Sequence, residues 1–222
     1  MVATAIAMEN VTVMENVHNN LLNLKFDDLE MKIKEYAKQQ HVPIIFDEGL
    51  AFLESIIAIK QPKNILEIGT AIGYSAIRMH KVCLSNIYTI ERDELMYNKA
   101  LENVRLAGFE DSIHIIFEDA LQAFSKVKDI NFDLIFIDAA KAQYLKFFDL
   151  YTPLLNANGI VICDNMLFHG LVLDEATYDS QSRSVRGLIR KLNNFHDALL
   201  KNENFRTSIF NIGDGMSISI KK

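Results

Sequence analysis

"ILEIGTAIGYS", residues 65–75, is the stretch on which the reading of the fold turns. Apolar residues on both sides of Glu67 read as a strand buried on both faces, the glycines as a turn, and "YSA" as the start of a helix. Gly69 and Gly73 let the backbone approach a ligand closely at the carboxyl end of that strand. Their spacing is G-x-x-x-G, so the G-x-G-x-x-G cradle of a dinucleotide-dependent oxidoreductase is not supported. No Gly-Lys-Ser/Thr follows, which excludes a P-loop. Two glycines alone fit an ordinary strand–helix turn as well as a ligand site. Glu67 sharpens the question, because an unpaired carboxylate inside an apolar strand is costly. Either a cationic ligand or the amides of the next loop would serve as its partner.

Outward from this stretch, strands and helices alternate. Strands are expected at 64–68, 86–91, 112–117, 132–138 and 159–164, with helices at 73–82, 93–107, 119–126 and 141–151. "DLIFI" is apolar on both faces, as in a parallel sheet covered by helices. A long helix spans about 182–200. "FRTSIFNIGDGMSISI" then reads as two strands around a Gly-Asp-Gly turn, an antiparallel hairpin. Upstream, Asp28 is expected to cap a helix carrying Leu29, Ile33, Tyr36 and Ala37, which Pro43 ends. Asp47 is expected to cap a second helix with Leu50, Leu53, Ile56 and Ile57. The fold class is therefore α/β and Rossmann-like: seven strands, mostly parallel, with an antiparallel C-terminal hairpin and N-terminal helices. A length of 222 residues suits one domain, 16–222, with a helical extension at 16–60 and a loose tail at 1–15.

The formal charge of −6 disfavours a protein that coats nucleic acid over its whole surface, although a local basic patch is compatible with it. Cys83 and Cys163 lie in apolar surroundings without metal spacing and read as reduced core residues. No run approaches the length of a membrane span, and "MVATAIAMEN" lacks the basic start of a signal peptide, so a cytoplasmic protein without a membrane partner is expected.

Carboxylates recur at strand ends. Glu91 closes the second strand, 18 residues past Gly73, where it can accept both hydroxyls of a ribose. Asp119, at the end of the third, can accept from an adenine amino group or cap the next helix. Together they favour an adenosine ligand. "LIFIDAAK" ends in Asp138 with Lys141 three residues on, and "GIVICDN" ends in Asp164 and Asn165. In a parallel sheet these tips lie side by side. Two carboxylates and an amide make a hard, all-oxygen set suited to Mg²⁺ or Mn²⁺, although "DN" is also a common loop start. Lys141 is either a solvated lysine or a general base.

An open parallel sheet finished by a hairpin is the outline of a class I S-adenosylmethionine-dependent methyltransferase. "ILEIGTAIGYSA", "IDAAK" and "CDN" resemble the cation-dependent O-methyltransferases, the catechol and caffeoyl-CoA type, from about Val42 to the C-terminus. Ala140 stands where that family often has a second aspartate. Within the family, "HVPI", "FIDAAKAQYLKFF", "DNMLFHGLV" and "GDGMSIS" are similar to the bacterial tRNA 5-hydroxyuridine methyltransferases. The resemblance implies S-adenosylmethionine lined by Ile45, Ser75, Glu91, Asp119 and Asp138. It also implies a metal on Asp138, Asp164 and Asn165, and a homodimer using the N-terminal helices. Ile45 replaces an expected methionine. Glu67 and Gly69 complete the candidate cofactor site, with Asp138 and Lys141 as its catalytic pair.

Substrate choice rests on the helix at 182–200. Arg183, Arg186 and Arg190 share one face, opposite Val185, Leu188, Ile189, Leu192 and Leu199. That face is either solvated or tracks tRNA phosphates. The expected activity is O-methylation of wobble 5-hydroxyuridine in tRNA to 5-methoxyuridine. A small catechol or phenol O-methyltransferase is the alternative, and a non-catalytic adenosine-ligand sensor the reading from another class.

Overall fold

The computed structural model describes residues 24–168, 170–172 and 178–222. The expected tail at 1–15 and the start of the helical extension lie outside the described residues. Helix α1 is Asp28–Gln40 and α2 is Asp47–Lys60. The alternating region runs β1 (Asn64–Ile68), α3 (Tyr74–Cys83), β2 (Asn86–Glu91), α4 (Glu94–Ala107), β3 (Ile113–Phe117), α5 (Phe124–Val127), β4 (Phe132–Ile137), α6 (Tyr144–Tyr151) and β5 (Leu155–Cys163). Helix α7 (Arg183–Lys201) then leads into β6 (Phe205–Phe210) and β7 (Met216–Lys221).

The strands form one sheet in the order β3-β2-β1-β4-β5-β7-β6. The first five are parallel, and β7 runs antiparallel to both β5 and β6. Chain order reverses between β1 and β4, and in such sheets the crevice at the carboxyl ends of those two strands is where ligands bind. Alternation along the strands supplies two cores. Leu66, Ile68, Ile135 and Ile137 pack with Phe147, Phe148, Leu192 and Phe195 of α6 and α7. On the other face Ile65, Leu134 and Phe136 meet Ile33, Leu53, Ile77 and Val104 of α1 to α4.

Several local expectations are corrected. The cap of α1 is Asp27, not Asp28: its carboxylate accepts from the Glu30 amide at 2.9 Å, and Glu30 returns the bond to the Asp27 amide at 2.7 Å. This reciprocal box satisfies two otherwise orphaned donors, which Asp28 could not do from inside the helix. Asp47 does not cap α2 either. The capping position is Phe46, which makes no side-chain cap bond, and Asp47 instead accepts from Lys34 at 2.7 Å. The helix expected at 119–126 shrinks to α5, because residues 120–123 form turns. The helix expected at 141–151 begins as a 3₁₀ turn over Lys141–Gln143 before α6. The strand expected at 159–164 starts earlier, at Leu155, with a register shift opposite Phe132 and Leu134.

The N-terminal helices are fastened to the sheet domain through Arg78 of α3. Its buried guanidinium meets Glu30 of α1 at 2.9 Å and Glu54 of α2 at 2.6 Å, and donates to the Lys25 carbonyl at 2.7 Å. A buried pair of this kind specifies an arrangement more than it adds stability, because desolvation offsets most of the attraction.

Candidate active site

The loop after β1 is built around Gly69, whose φ is +104°. A Cβ there would lie 1.9 Å from the Asp138 carbonyl oxygen, so the tips of β1 and β4 can approach this closely only at a glycine. The Gly69 and Thr70 amides both point to the Ile90 carbonyl, at 3.1 and 3.3 Å. Gly73, also at positive φ, sits against Ala100 of α4 and opens α3.

Glu67 is wholly buried, and its partners are neither a cation nor loop amides but two hydroxyls. Ser75 donates to one oxygen at 2.5 Å and Thr89 to the other at 2.5 Å. Thr89 lies directly opposite Glu67 in the β1–β2 ladder. Burial outweighs these bonds and pushes the Glu67 carboxyl up to about 8. Thr89, in turn hydrogen-bonded to Thr70 at 2.6 Å, was not picked out from the sequence. A polar β-branched residue inside an apolar strand, in register with a buried acid, was the signal available.

Glu91 uses both oxygens on backbone amides: Ala71 at 2.8 Å, Arg92 at 2.8 Å and Asp93 at 2.9 Å. It thereby ties the glycine loop to the end of β2 while staying half-exposed, with lone pairs left for a ligand. Asp119 accepts from the Leu121 amide at 2.8 Å and pairs with Arg92 at 3.3 Å on the surface. Ile45 is buried in the α1–α4 core, near Gly49 and Met216. Gly69, Ser75, Glu67 and Glu91 thus come together around one loop, while Asp119 stands at the next strand end.

The β4 and β5 tips do adjoin. Asp138 donates its amide to the Ile68 carbonyl at 3.0 Å, and Asp164 donates its amide to the Ile137 carbonyl at 3.1 Å. Asn165, held at φ +58°, donates from Nδ2 to Asp138 Oδ1 at 3.1 Å, and its own amide donates to Asp164 Oδ1 at 2.6 Å. Asp164 is buried and Asp138 half-buried. Burial raises the Asp138 carboxyl to about 6, opposed by the Lys141 ammonium. Burial, then the neighbouring Asp138 charge, raises Asp164 to about 7. Two desolvated carboxylates this close are short of positive charge.

That donor set fits a hard divalent cation: two carboxylates and an amide, all oxygen donors when the amide presents Oδ1. In this structure the amide presents Nδ2 to Asp138. Among the described residues no cluster of three or more His, Cys, Asp or Glu side chains gathers to hold a metal, so the set is the two-carboxylate-plus-amide one. Lys141, half-exposed, starts the turn immediately after the β4 tip. Arg183 and Arg190 are exposed on α7 and Arg186 is half-exposed. Helix α7 packs against the Lys141–Gln143 turn.

Beyond Asn165 the chain folds onto the β6–β7 turn, with the Met166 amide on the Gly215 carbonyl at 2.9 Å and the Leu167 amide on that of Asp214 at 2.8 Å. A cavity of about 370 Å³ opens here, with Phe46, Leu167, Asn211 and Asp214 in its wall. Sequence reasoning did not find Phe46 or Asp214, which reach the site only through the tertiary fold. A larger hollow of about 630 Å³ lies by Lys63, Asn64, Asp133 and Asn156, at the amino ends of the strands and away from the crevice.

Comparisons with known proteins agree with this arrangement. The O-methyltransferase family profile matches residues 19–222. A caffeoyl-CoA O-methyltransferase of Populus kitakamiensis is 28% identical over 209 residues, covering 90% of this chain and 86% of its own. A catechol O-methyltransferase of Niastella koreensis is 32% identical over 140 residues, 61% of this chain and 63% of its own. The crystal structure of a candidate caffeoyl-CoA O-methyltransferase from Staphylococcus aureus superposes with a TM-score of 0.86. It is 39% identical and covers 96% of this chain and 99% of its own. A Bacillus cereus O-methyltransferase in complex with SAH shares the fold at a TM-score of 0.81 and 21% identity, with 95% and 97% coverage. The fold is that of the class I S-adenosylmethionine-dependent methyltransferases, and the chain belongs to the O-methyltransferase family.

Proposed function

We propose that this chain methylates a ring hydroxyl that has a second oxygen on the adjacent carbon, using S-adenosylmethionine and a divalent cation, Mg²⁺ or Mn²⁺. One observation carries the reading: two desolvated carboxylates, Asp138 and Asp164, bridged by Asn165 at adjoining strand tips beside the glycine loop. When bound, S-adenosylmethionine supplies an electrophilic methyl on a sulfonium, and the cation supplies a charge that acidifies a hydroxyl on the ligand.

The chain's own residues bind and orient. Gly69 keeps the loop close to β4, while Ser75 and Glu67 hold its far end in place. Glu91 and Asp119 accept from the adenosine half, and Ile45 supplies an apolar wall. Asp138, Asp164 and Asn165 would hold the cation, which would supply charge to orient and acidify the acceptor hydroxyl. The hydroxyl proton must leave, and Lys141 at the rim would take it as the neutral amine, having first released its own proton to solvent.

A small catechol-type phenol is the favoured acceptor. Caffeoyl-CoA and catechol are the acceptors named for the relatives, and the cavity walled by Leu167 and Asp214 lies in the size range of small-ligand sites. A second reading keeps the same chemistry but takes 5-hydroxyuridine at the tRNA wobble position, whose O5 hydroxyl neighbours the O4 carbonyl. It is favoured by the packing of α7, with Arg183, Arg186 and Arg190, against the turn that carries Lys141. Labelled S-adenosylmethionine offered with caffeate or with tRNA bearing 5-hydroxyuridine separates the two. Label in the phenol supports the first reading. Label confined to tRNA replaces it with the second.

A further inference from the structure

The β4–β5 ladder ends at Ile137 opposite Cys163, one residue short of the two carboxylates. Beyond that point the Asp164 amide still donates to the Ile137 carbonyl, and two further contacts hold Asp138 and Asp164 in place against their like charges. One contact is the Asn165 amide. The other comes from a residue that the reaction does not use directly.

Tyr144 opens α6, three residues past Lys141, and is 1% exposed. Its hydroxyl donates to the backbone carbonyl of Asp164 at 3.1 Å. Tyr144 lies on the segment that leaves the β4 tip through the Lys141–Gln143 turn, so this bond joins that segment to the β5 tip. The ring is fixed by an edge contact with Phe195 of α7, centroids 5.7 Å apart. A phenylalanine would fill the same apolar space without bringing in a hydroxyl that costs free energy to bury.

We propose that Tyr144 is the positioning residue of the metal site, its hydroxyl clamping the β4 tip to the β5 tip so that Asp138 and Asp164 face one cation. The inference rests on the metal reading above. Tyr151 lies on the same helix and provides the control, because its buried hydroxyl also donates to a backbone carbonyl, that of Ala120 at 2.5 Å, away from the strand tips.

The test is a Mn²⁺ titration of the full chain, with free Mn²⁺ read from its paramagnetic resonance signal. Wild type, Tyr144→Phe and Tyr151→Phe are compared, with thermal midpoints recorded alongside. Loss of a group that orients a metal ligand typically weakens metal affinity by about 10-fold to 100-fold. For a bond to a ligand's backbone we expect the lower end, about 10-fold for Tyr144→Phe, and wild-type affinity for Tyr151→Phe. Equal Mn²⁺ affinity in Tyr144→Phe and wild type overturns the inference, as does an equal loss in both variants. A wild-type chain that binds no Mn²⁺ removes the metal reading itself, and the clamp with it. If Tyr144→Phe does not fold, Phe195→Leu loosens the same ring and should weaken Mn²⁺ in the same direction; unchanged affinity there overturns the clamp.

Discussion

Glu67 shows how a single residue can be legible in kind but not in partner. Its burial followed from the apolar strand around it, but its hydroxyl partners, Ser75 and Thr89, depend on a strand register that no local pattern displays. A titration consequence follows. The folded-state pKa of about 8 lies above the ordinary 4.5, so the folded chain holds this proton more tightly than the unfolded one. The contribution is fully present below about pH 4.5 and is lost as pH rises towards 8, at roughly 1.4 kcal/mol per pH unit as an upper bound. Glu67→Gln removes the titrating group. Denaturant melts of the ligand-free protein at pH 5 and pH 8 should therefore show a smaller loss for Glu67→Gln than for wild type, and parallel losses would refute the assignment. Gly69 makes a sterner prediction. Gly69→Ala puts a methyl on the Asp138 carbonyl at an unfavourable φ, so stability should fall by about 2–6 kcal/mol, strain and overpacking together. Chemical denaturation measures this; a change below 1 kcal/mol would mean that the two tips part easily.

At the scale of the element, helix α7 separates what holds the fold from what chooses a partner. Ile189, Leu192, Phe195 and Leu199 are buried on one side, and Arg183, Arg190 and Lys191 are exposed on the other. Phe195→Ala should cost about 3–5 kcal/mol, because its ring packs with Tyr144 and Phe148 in the core. The triple change of Arg183, Arg186 and Arg190 to alanine should leave the melting midpoint within a few degrees of wild type. If the tRNA reading holds, it should also flatten the salt dependence of tRNA binding by up to about 0.9 in logarithmic slope per lost contact. A salt series of tRNA affinity decides it: an unchanged slope marks the face as solvated. The periodicity of α7 was plain in the sequence, and β1 and β2 fell where their apolar runs placed them. Other boundaries moved for local reasons. "NANG", residues 156–159, has the chemistry of a turn, yet β5 runs through it with Asn158 at φ +57° and a register shift opposite. At residues 119–123, Asp119 turns back on the Leu121 amide and Tyr151 takes the Ala120 carbonyl, which replaces helix with turns.

At the scale of the whole molecule, the sheet order brings together what the sequence separates. Residues 67–75, 91, 138–141 and 164–165 meet at one end because β1 and β4 are neighbours and all five parallel strands point the same way. This much was legible, since strand-ending acids in a parallel sheet must share a rim. The cavity beside it was not, because Phe46 arrives from the start of α2, and Asn211 and Asp214 from the hairpin. No described helix is long and apolar enough to cross a membrane. The central claim is that the paired tips hold a divalent cation on which methyl transfer depends. Its most direct measurement is methyl transfer from labelled S-adenosylmethionine to a vicinal dihydroxy phenol, run with excess chelator, with Mg²⁺ restored, and with Asp164→Ala. The account predicts no product in chelator, recovery with Mg²⁺, and at least a hundredfold loss in Asp164→Ala, about 2.7 kcal/mol of lost transition-state stabilisation. Full turnover in chelator, or a wild-type rate in Asp164→Ala, would contradict it.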